Sequence, residues 1–387
     1  LISLHNQGQQ PLKTFHFGGD EVGRGAWVNS SVCQTLKASG GLEGESFRWY
    51  FFKRVSDLAA NKSLSVSAWE DGLMHDGNVP FNLSTSPTSD TIVYAWDNVF
   101  DSGTLSRTYR FANQGYKVVL AHATHLYLDH PYEPDPEERG TYWATRFTDT
   151  KKIFSYNAVS YYDNTLTHES GAPVTADELC GPANDSCPHL ELSENIIGIQ
   201  GSLFTETTRT TDHLYYNLFP KVIALAERAW HKASWESLPA GEQRDKQLHN
   251  DWSSFCRAVG YRELPRLDKI NVTYRVPPPG AVISYGRLLT TPLYPGLVVQ
   301  YSFDAGNTWE DAHGAVSVSD YKYIIWLRTR TPDSQRFSRV VVLDPPPSVL
   351  ITIQPTIDYI ASNMDVNYTV VDNFNKYGDD LFKVDFV

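Results

Sequence analysis

Short apolar strands alternate with amphipathic helical stretches between residues 12 and about 260, and carboxylates and tryptophans gather at the strand ends. That alternation predicts an α/β chain built on a parallel sheet. Near residue 265 the texture changes: VPPPG (276–280) is followed by alternating sheet-like runs, which predict a small all-β unit. At 387 residues the chain exceeds one typical domain, so two or three units are expected.

Five segments read as buried parallel strands: LKTFHF (12–17), LSVSAW (64–69), TIVYAW (91–96), YKVVLAHA (116–123) and NIIGIQGSLF (195–204). Residues 45–60 and 211–230 read as covering helices, with a kink or break at Pro220 because proline lacks the donor a helix interior needs. The stretch from Asp129 to Asn195 is rich in Pro, Asp and Gly and reads as a long site loop with local structure. LVVQYSFDAG, YIIWLRTRT and FSRVVVL carry the alternation of a β-sandwich. DPPPS (344–348) marks a second linker before a last short segment.

The first strand ends in His16-Phe17-Gly18-Gly19-Asp20-Glu21. Glycines permit a sharp bend that regular strand geometry does not. Such a bend can turn both carboxylates, which would otherwise alternate, toward one pocket. Paired carboxylates suit cleavage of a sugar, where one gives a proton and the other stays ionised. The pair alone reads equally well as an acidic turn.

The whole motif resembles the His-x-Gly-Gly-Asp-Glu signature of the β-N-acetylhexosaminidases of glycoside hydrolase family 20. LYLDHPYEPDPEERGTYWATRFTDTKKIFSY (126–156), GIQGSLFTETTRT (198–210) and LAERAWHKASWE (225–236) are similar to its chitobiase branch, in the family's order. The resemblance implies the C-terminal part of a (β/α)₈ barrel, strands four to eight, over 1–265. It implies an immunoglobulin-like C-terminal sandwich over 266–345, suited to support or spacing. Residues 346–387 are then a linker and the opening of a carbohydrate-binding module, since 363–387 resembles the module that precedes the barrel in chitobiases. That order suggests a tandem parent, and the chain reads as an internal fragment.

The resemblance also implies roles. Substrate-assisted members use the sugar's own acetamide oxygen as nucleophile. Glu21 matches the general acid/base, a role that calls for a raised pKa, and Asp20 the carboxylate that orients the acetamide. Tyr127 matches the hydroxyl that holds the acetamide oxygen. Asp129 and Glu206 match carboxylates that bind sugar hydroxyls. Trp69 and Trp96 match an aromatic box whose third member is usually Trp but is Phe204 here. Trp143 reads either as lining the next sugar subsite or as simple loop packing, and His16 is assigned to a structural hydrogen bond beneath the site. The expected activity is exo-hydrolysis of terminal N-acetylhexosamine from chitooligosaccharides or glycoconjugates, with water as acceptor and no cofactor. The rival is a non-catalytic saccharide-binding protein of a chitin-containing matrix.

The net charge of −12 argues against nucleic acid or an anionic membrane as partner. No apolar run is long enough to span a bilayer. Six N-x-Ser/Thr sequons occur, at Asn29, Asn61, Asn82, Asn184, Asn271 and Asn367. With a local disulfide expected between Cys180 and Cys187, they favour a secreted glycoprotein, a lysosomal one being the lesser reading. Cys33 and Cys256 are left either as a pair or as two thiols. His122, His125, Asp129 and His130 lie close in sequence, but converging ligands with a supporting shell are not evident, and no metal is expected.

Overall fold

The computed structural model describes residues 1–343 except 24, 43–45, 76, 87, 89, 181–186, 285 and 319–323. The segment 346–387, with Asn367, and the sequon at Asn184 lie outside the described residues. The chain divides into two compact units, Leu1–Leu248 and His249–Val387.

In the first unit five strands pair in parallel and in sequence order: β1 (Thr14–His16), β2 (Ser65–Trp69), β3 (Ile92–Ala95), β4 (Lys117–Leu120) and β5 (Ile196–Ile199). All five fall inside the segments read as strands. The three middle strands bury Val66, Ala68, Val93, Ala95, Val118 and Leu120. β1 and β5 contain no buried residue, contrary to their reading as buried strands. The reason is positional: each pairs with one neighbouring strand only among the described residues.

Helix α1 (Phe47–Ala60) starts where the Ser46 hydroxyl accepts the Trp49 N–H at 3.2 Å. Its buried Trp49, Phe52, Ser56 and Ala59 form one stripe at helical spacing, packed against β2. α2 (Arg107–Asn113) covers β4. The long stretch after Asp129 contains α3 (Thr150–Phe154), a 3₁₀ turn (Tyr161–Asn164) and a short helix ending at Cys180, whose disulfide to Cys187 is formed. Cys33 and Cys256 both keep their thiols. The expected helix over 211–230 is two helices, α4 (Thr211–Leu218) and α5 (Lys221–Trp230). Phe219 is extended, as a residue before proline prefers, and the helix restarts after Pro220.

The second unit has two antiparallel sheets. One holds β6 (Gly280–Ser284), β7 (Arg287–Thr291) and β10 (Val316–Ser317); the other holds β8 (Val298–Ser302), β9 (Glu310–Asp311), β11 (Ile325–Arg330) and β12 (Val341–Leu343). Leu288, Tyr301, Val318, Ile325 and Leu327 form the core between them, the inward half of each alternating pattern.

Candidate active site

The site lies at the C-terminal end of the parallel sheet. Beyond β1 the chain turns through Gly18 (φ 74°) and Gly19 (φ 90°), and Glu21 itself is left-handed at φ 51°. A non-glycine residue there costs about 1–3 kcal/mol and persists only where its surroundings demand it. Two contacts supply that demand. A Cβ on Gly72 would lie 2.8 Å from the Gly19 Cα, so this turn meets the 3₁₀ turn Glu70–Leu73 backbone to backbone. The Glu21 N–H donates to Asp71 Oδ2. Asp20 and Glu21 are both exposed. The His16 ring sits edge-on to Trp69 and Tyr94, at 5.3 and 5.0 Å between centroids. Burial lowers its pKa, with Asp20 pulling the other way. The Gly18 N–H approaches His16 Nδ1 at 3.1 Å, so His16 also helps hold the bend.

The expected aromatic residues separate into two groups. Trp69 pairs in register with Tyr94 and packs on it and on His16. Trp96, two residues beyond Tyr94, turns instead toward Trp143, with centroids 5.8 Å apart. Trp143 stands edge-on to Tyr127 at 6.0 Å, and Tyr127 to Phe204 at 5.0 Å. Trp96, Trp143, Tyr127 and Phe204 therefore form a continuous aromatic wall, while Trp69 belongs to the His16 side.

Tyr127 and Asp129 follow β4 through the short helix Ala123–Leu126. An isolated parallel bridge between Tyr127 and Ser202 carries the β4–β5 pairing outward. Both residues are buried. Asp129 Oδ2 accepts the Thr141 hydroxyl at 3.1 Å and Oδ1 accepts the Phe204 N–H at 3.2 Å. Burial raises its pKa and the Glu206 charge adds to the rise. Burial, then Asp129, Glu70, Asp20 and Asp97, push the Tyr127 phenol up, so the hydroxyl keeps its proton. Gly140 (φ 141°) passes against the Asp129 and His130 backbone, where a Cβ would clash at 2.4 Å. Beneath, the buried Lys221 of α5 donates to the carbonyls of Leu128 and His130 at 3.0 and 2.6 Å. Phe204 and Glu206 are exposed.

The family model "Glycosyl hydrolase family 20, catalytic domain" matches residues 4–233. This chain belongs to glycosyl hydrolase family 20. Residues 263–340 match the chitobiase/beta-hexosaminidase C-terminal domain. The family 20 chain is 37% identical over 331 residues to a beta-hexosaminidase of Vibrio vulnificus, covering 80% of this chain and 37% of that protein. It is 33% identical over 349 residues to an N,N'-diacetylchitobiase of Vibrio harveyi, covering 80% of this chain and 38% of that one. The chain thus spans a little over a third of the length of these relatives. A solved family 20 exo β-N-acetylglucosaminidase of Vibrio harveyi, in complex with N-acetylglucosamine, aligns at 23% identity and TM-score 0.46, over 70% of this chain and 34% of that one. The parallel sheet with its helices lies within the match to the catalytic domain, which has the (β/α)₈ barrel fold, and the two antiparallel sheets belong to the C-terminal domain.

The same sheet end carries charged residues that the sequence reading did not single out. Glu70 is buried, pairs with Arg107 at 3.1 Å and accepts the Asp97 N–H at 3.2 Å. Burial pushes its pKa up to about 8, with Arg107 opposing and Asp97 and Asp71 reinforcing. Asp97 is raised by burial and restrained by Arg107. The signal for these residues was available: Trp69-Glu70-Asp71 and Trp96-Asp97 repeat, at two further strand ends, the carboxylates that follow β1. Around His122, His125 and His130 the ring nitrogens meet Thr108, Tyr156, Thr124 and the Thr141 carbonyl, and burial lowers all three pKa values. No group of three or more His, Cys, Asp or Glu is arranged to hold a metal among the described residues.

Proposed function

We propose that this chain carries the catalytic carboxylates of an exo-acting β-N-acetylhexosaminidase working by substrate-assisted retention. The observation that carries the reading is the juxtaposition at one sheet end of a solvent-facing Asp20–Glu21 turn and a buried, protonated Tyr127 within electrostatic reach of Asp20. In the first step the acetamide carbonyl oxygen attacks C1, and the bond from C1 to the leaving oxygen breaks as Glu21 delivers its proton to that oxygen. In the second, Glu21 takes a proton from the water that opens the oxazolinium ion. Asp20 accepts the acetamide N–H and balances its developing positive charge. The Tyr127 hydroxyl donates to the acetamide oxygen and aims it at C1. A nucleophile already joined to the substrate raises effective molarity, which explains why no enzyme nucleophile is needed.

Asp129 and Glu206 fit binding of hydroxyls on the terminal sugar, and the wall from Trp96 to Phe204 fits its apolar face. The substrate class is terminal N-acetylhexosamine on chitooligosaccharides, chitin or glycoconjugates. The described sequons at Asn29, Asn61, Asn82 and Asn271 are exposed and the Cys180–Cys187 bridge is formed, which supports a secreted, extracellular glycoprotein. The non-catalytic saccharide-binding reading draws on Phe204, which gives the wall a smaller ring than Trp.

A chromogenic N-acetylglucosaminide assay on the complete natural protein decides between the two. Release of chromophore is the expected result, with cleavage of a disaccharide reduced about 10²–10⁴-fold by Glu21→Gln. Saccharide binding without release would replace this reading by the binding one.

A further inference from the structure

We propose that Asp71 is a positioning residue: its carboxylate holds the Glu21 main chain and the Trp96 indole together, so that the proton donor and the aromatic wall keep one registration. The inference rests on the hydrolase reading above and adds to it a residue that acts through others.

Asp71 is 50 residues from Glu21 and 25 from Trp96, so only the fold brings the three together. Its two oxygens are divided between two partners. Oδ2 accepts the Glu21 N–H, and Oδ1 accepts the Trp96 Nε1–H at 3.0 Å. Acceptance by a carboxylate makes both bonds charge-assisted, the stronger class of protein hydrogen bond. Each partner comes from the end of a different strand, β1 or β3, and Asp71 follows β2 between them.

The platform behind Asp71 is fixed. Glu70, its neighbour, is buried and bound to Arg107 and to the Asp97 N–H, which anchors the 3₁₀ turn Glu70–Leu73 from inside. On the other side Gly72 leaves no room for a side chain against Gly19. The turn can therefore neither rise nor slide without displacing the Asp20–Glu21 bend. Glu21 is left-handed, and in this conformation its main-chain N–H donates to Asp71. Asp71 thus converts a rigid turn into an orientation for an exposed carboxyl, and through Trp96 it aligns the ring against which the sugar packs.

The test uses Asp71→Asn in the complete natural protein. Asparagine keeps one oxygen acceptor and replaces the other with an amide NH₂, which cannot accept. The readout is kcat/KM for two glycosides of N-acetylglucosamine. A dinitrophenyl leaving group departs without a proton, whereas a second sugar as leaving group requires one. A misplaced Glu21 predicts a loss of about 100-fold for the disaccharide and less than about threefold for the dinitrophenyl glycoside. Equal losses on both substrates, as from a folding defect, or no loss on either, overturn the proposal.

Trp96→Phe supplies a second arm. Without the indole N–H, the single Asn oxygen is available to Glu21, so Asp71→Asn in that background should cost the disaccharide reaction several-fold less. The same fold-loss in both backgrounds overturns the shared role. Glu21→Gln separates this failure from that of the parent reading. Retained disaccharide cleavage in Glu21→Gln would remove the acid/base assignment itself; its retention in Asp71→Asn alone removes only the positioning role.

Discussion

The two sides of the site are built in opposite ways. The proton side, Asp20 and Glu21, is exposed and shaped by backbone: two glycines in left-handed geometry, a glycine-to-glycine contact and one accepted N–H. The sugar side, Tyr127 and Asp129, is buried and shaped by side-chain hydrogen bonds from Thr141, by the Phe204 N–H and by the Lys221 ammonium beneath. The difference matches the work proposed for each side. A group that exchanges protons with a leaving oxygen and with water needs access to both. Groups that hold a ring in place gain from desolvation, because hydrogen bonds strengthen in a low dielectric.

Substitutions can separate the two constructions. Gly72→Ala attacks the backbone contact, placing a Cβ 2.8 Å from Gly19. It should lower kcat by roughly 100-fold with KM little changed, since misplacement of a reacting group by about 1 Å costs on that order. Steady-state kinetics on a disaccharide would show it. Lys221→Met attacks the buried side. It should cost about 1–3 kcal/mol of stability, read as a lower Tm, and raise KM more than it lowers kcat. If both variants gave the same division between kcat and KM, the contrast between the two sides would be lost.

Phe204→Trp extends the wall and should lower KM up to about tenfold, the range expected of an added aromatic contact, with kcat retained. An unchanged KM would mean that Phe204 already supplies the contact. The remaining prediction concerns stability alone, through its pH dependence. The folded pKa of Glu70 stands at about 8, above its ordinary value of 4.5, so between those limits the folded chain holds a proton that the unfolded chain releases. Stability from this group therefore declines as pH rises through that window. Glu70→Gln should flatten that decline in melting curves recorded from pH 5 to 8. An undiminished slope would assign it to other groups.

The sequence shows the proton side better than what supports it. The Asp20–Glu21 bend is legible because it lies within six consecutive residues whose glycines announce it. Pro220 likewise marks the break between α4 and α5, since local sterics decide it. Asp71 is not legible in the same way, because an acceptor role is defined by donors 50 and 25 residues away. Lys221 reads as an ordinary first-turn helix residue until the fold lays it under the Leu128 and His130 carbonyls. Trp69 and Trp96 look equivalent as strand-closing residues. The register of β2 against β3 sets Trp69 beside Tyr94, and Trp96 follows two residues later toward a different neighbour.

Asp129 grips position 204 by its main-chain N–H and makes no use of the ring. The hydrogen bond that seats position 204 is thus independent of the side chain there, whose ring meets Tyr127 instead. A different side chain can be installed at 204 without re-aiming the strand end that presents it, and the carboxylate need not readjust. Position 204 is for that reason a point open to engineering: the depth of the aromatic wall can be altered one ring at a time while the main-chain bond to Asp129 stays in place.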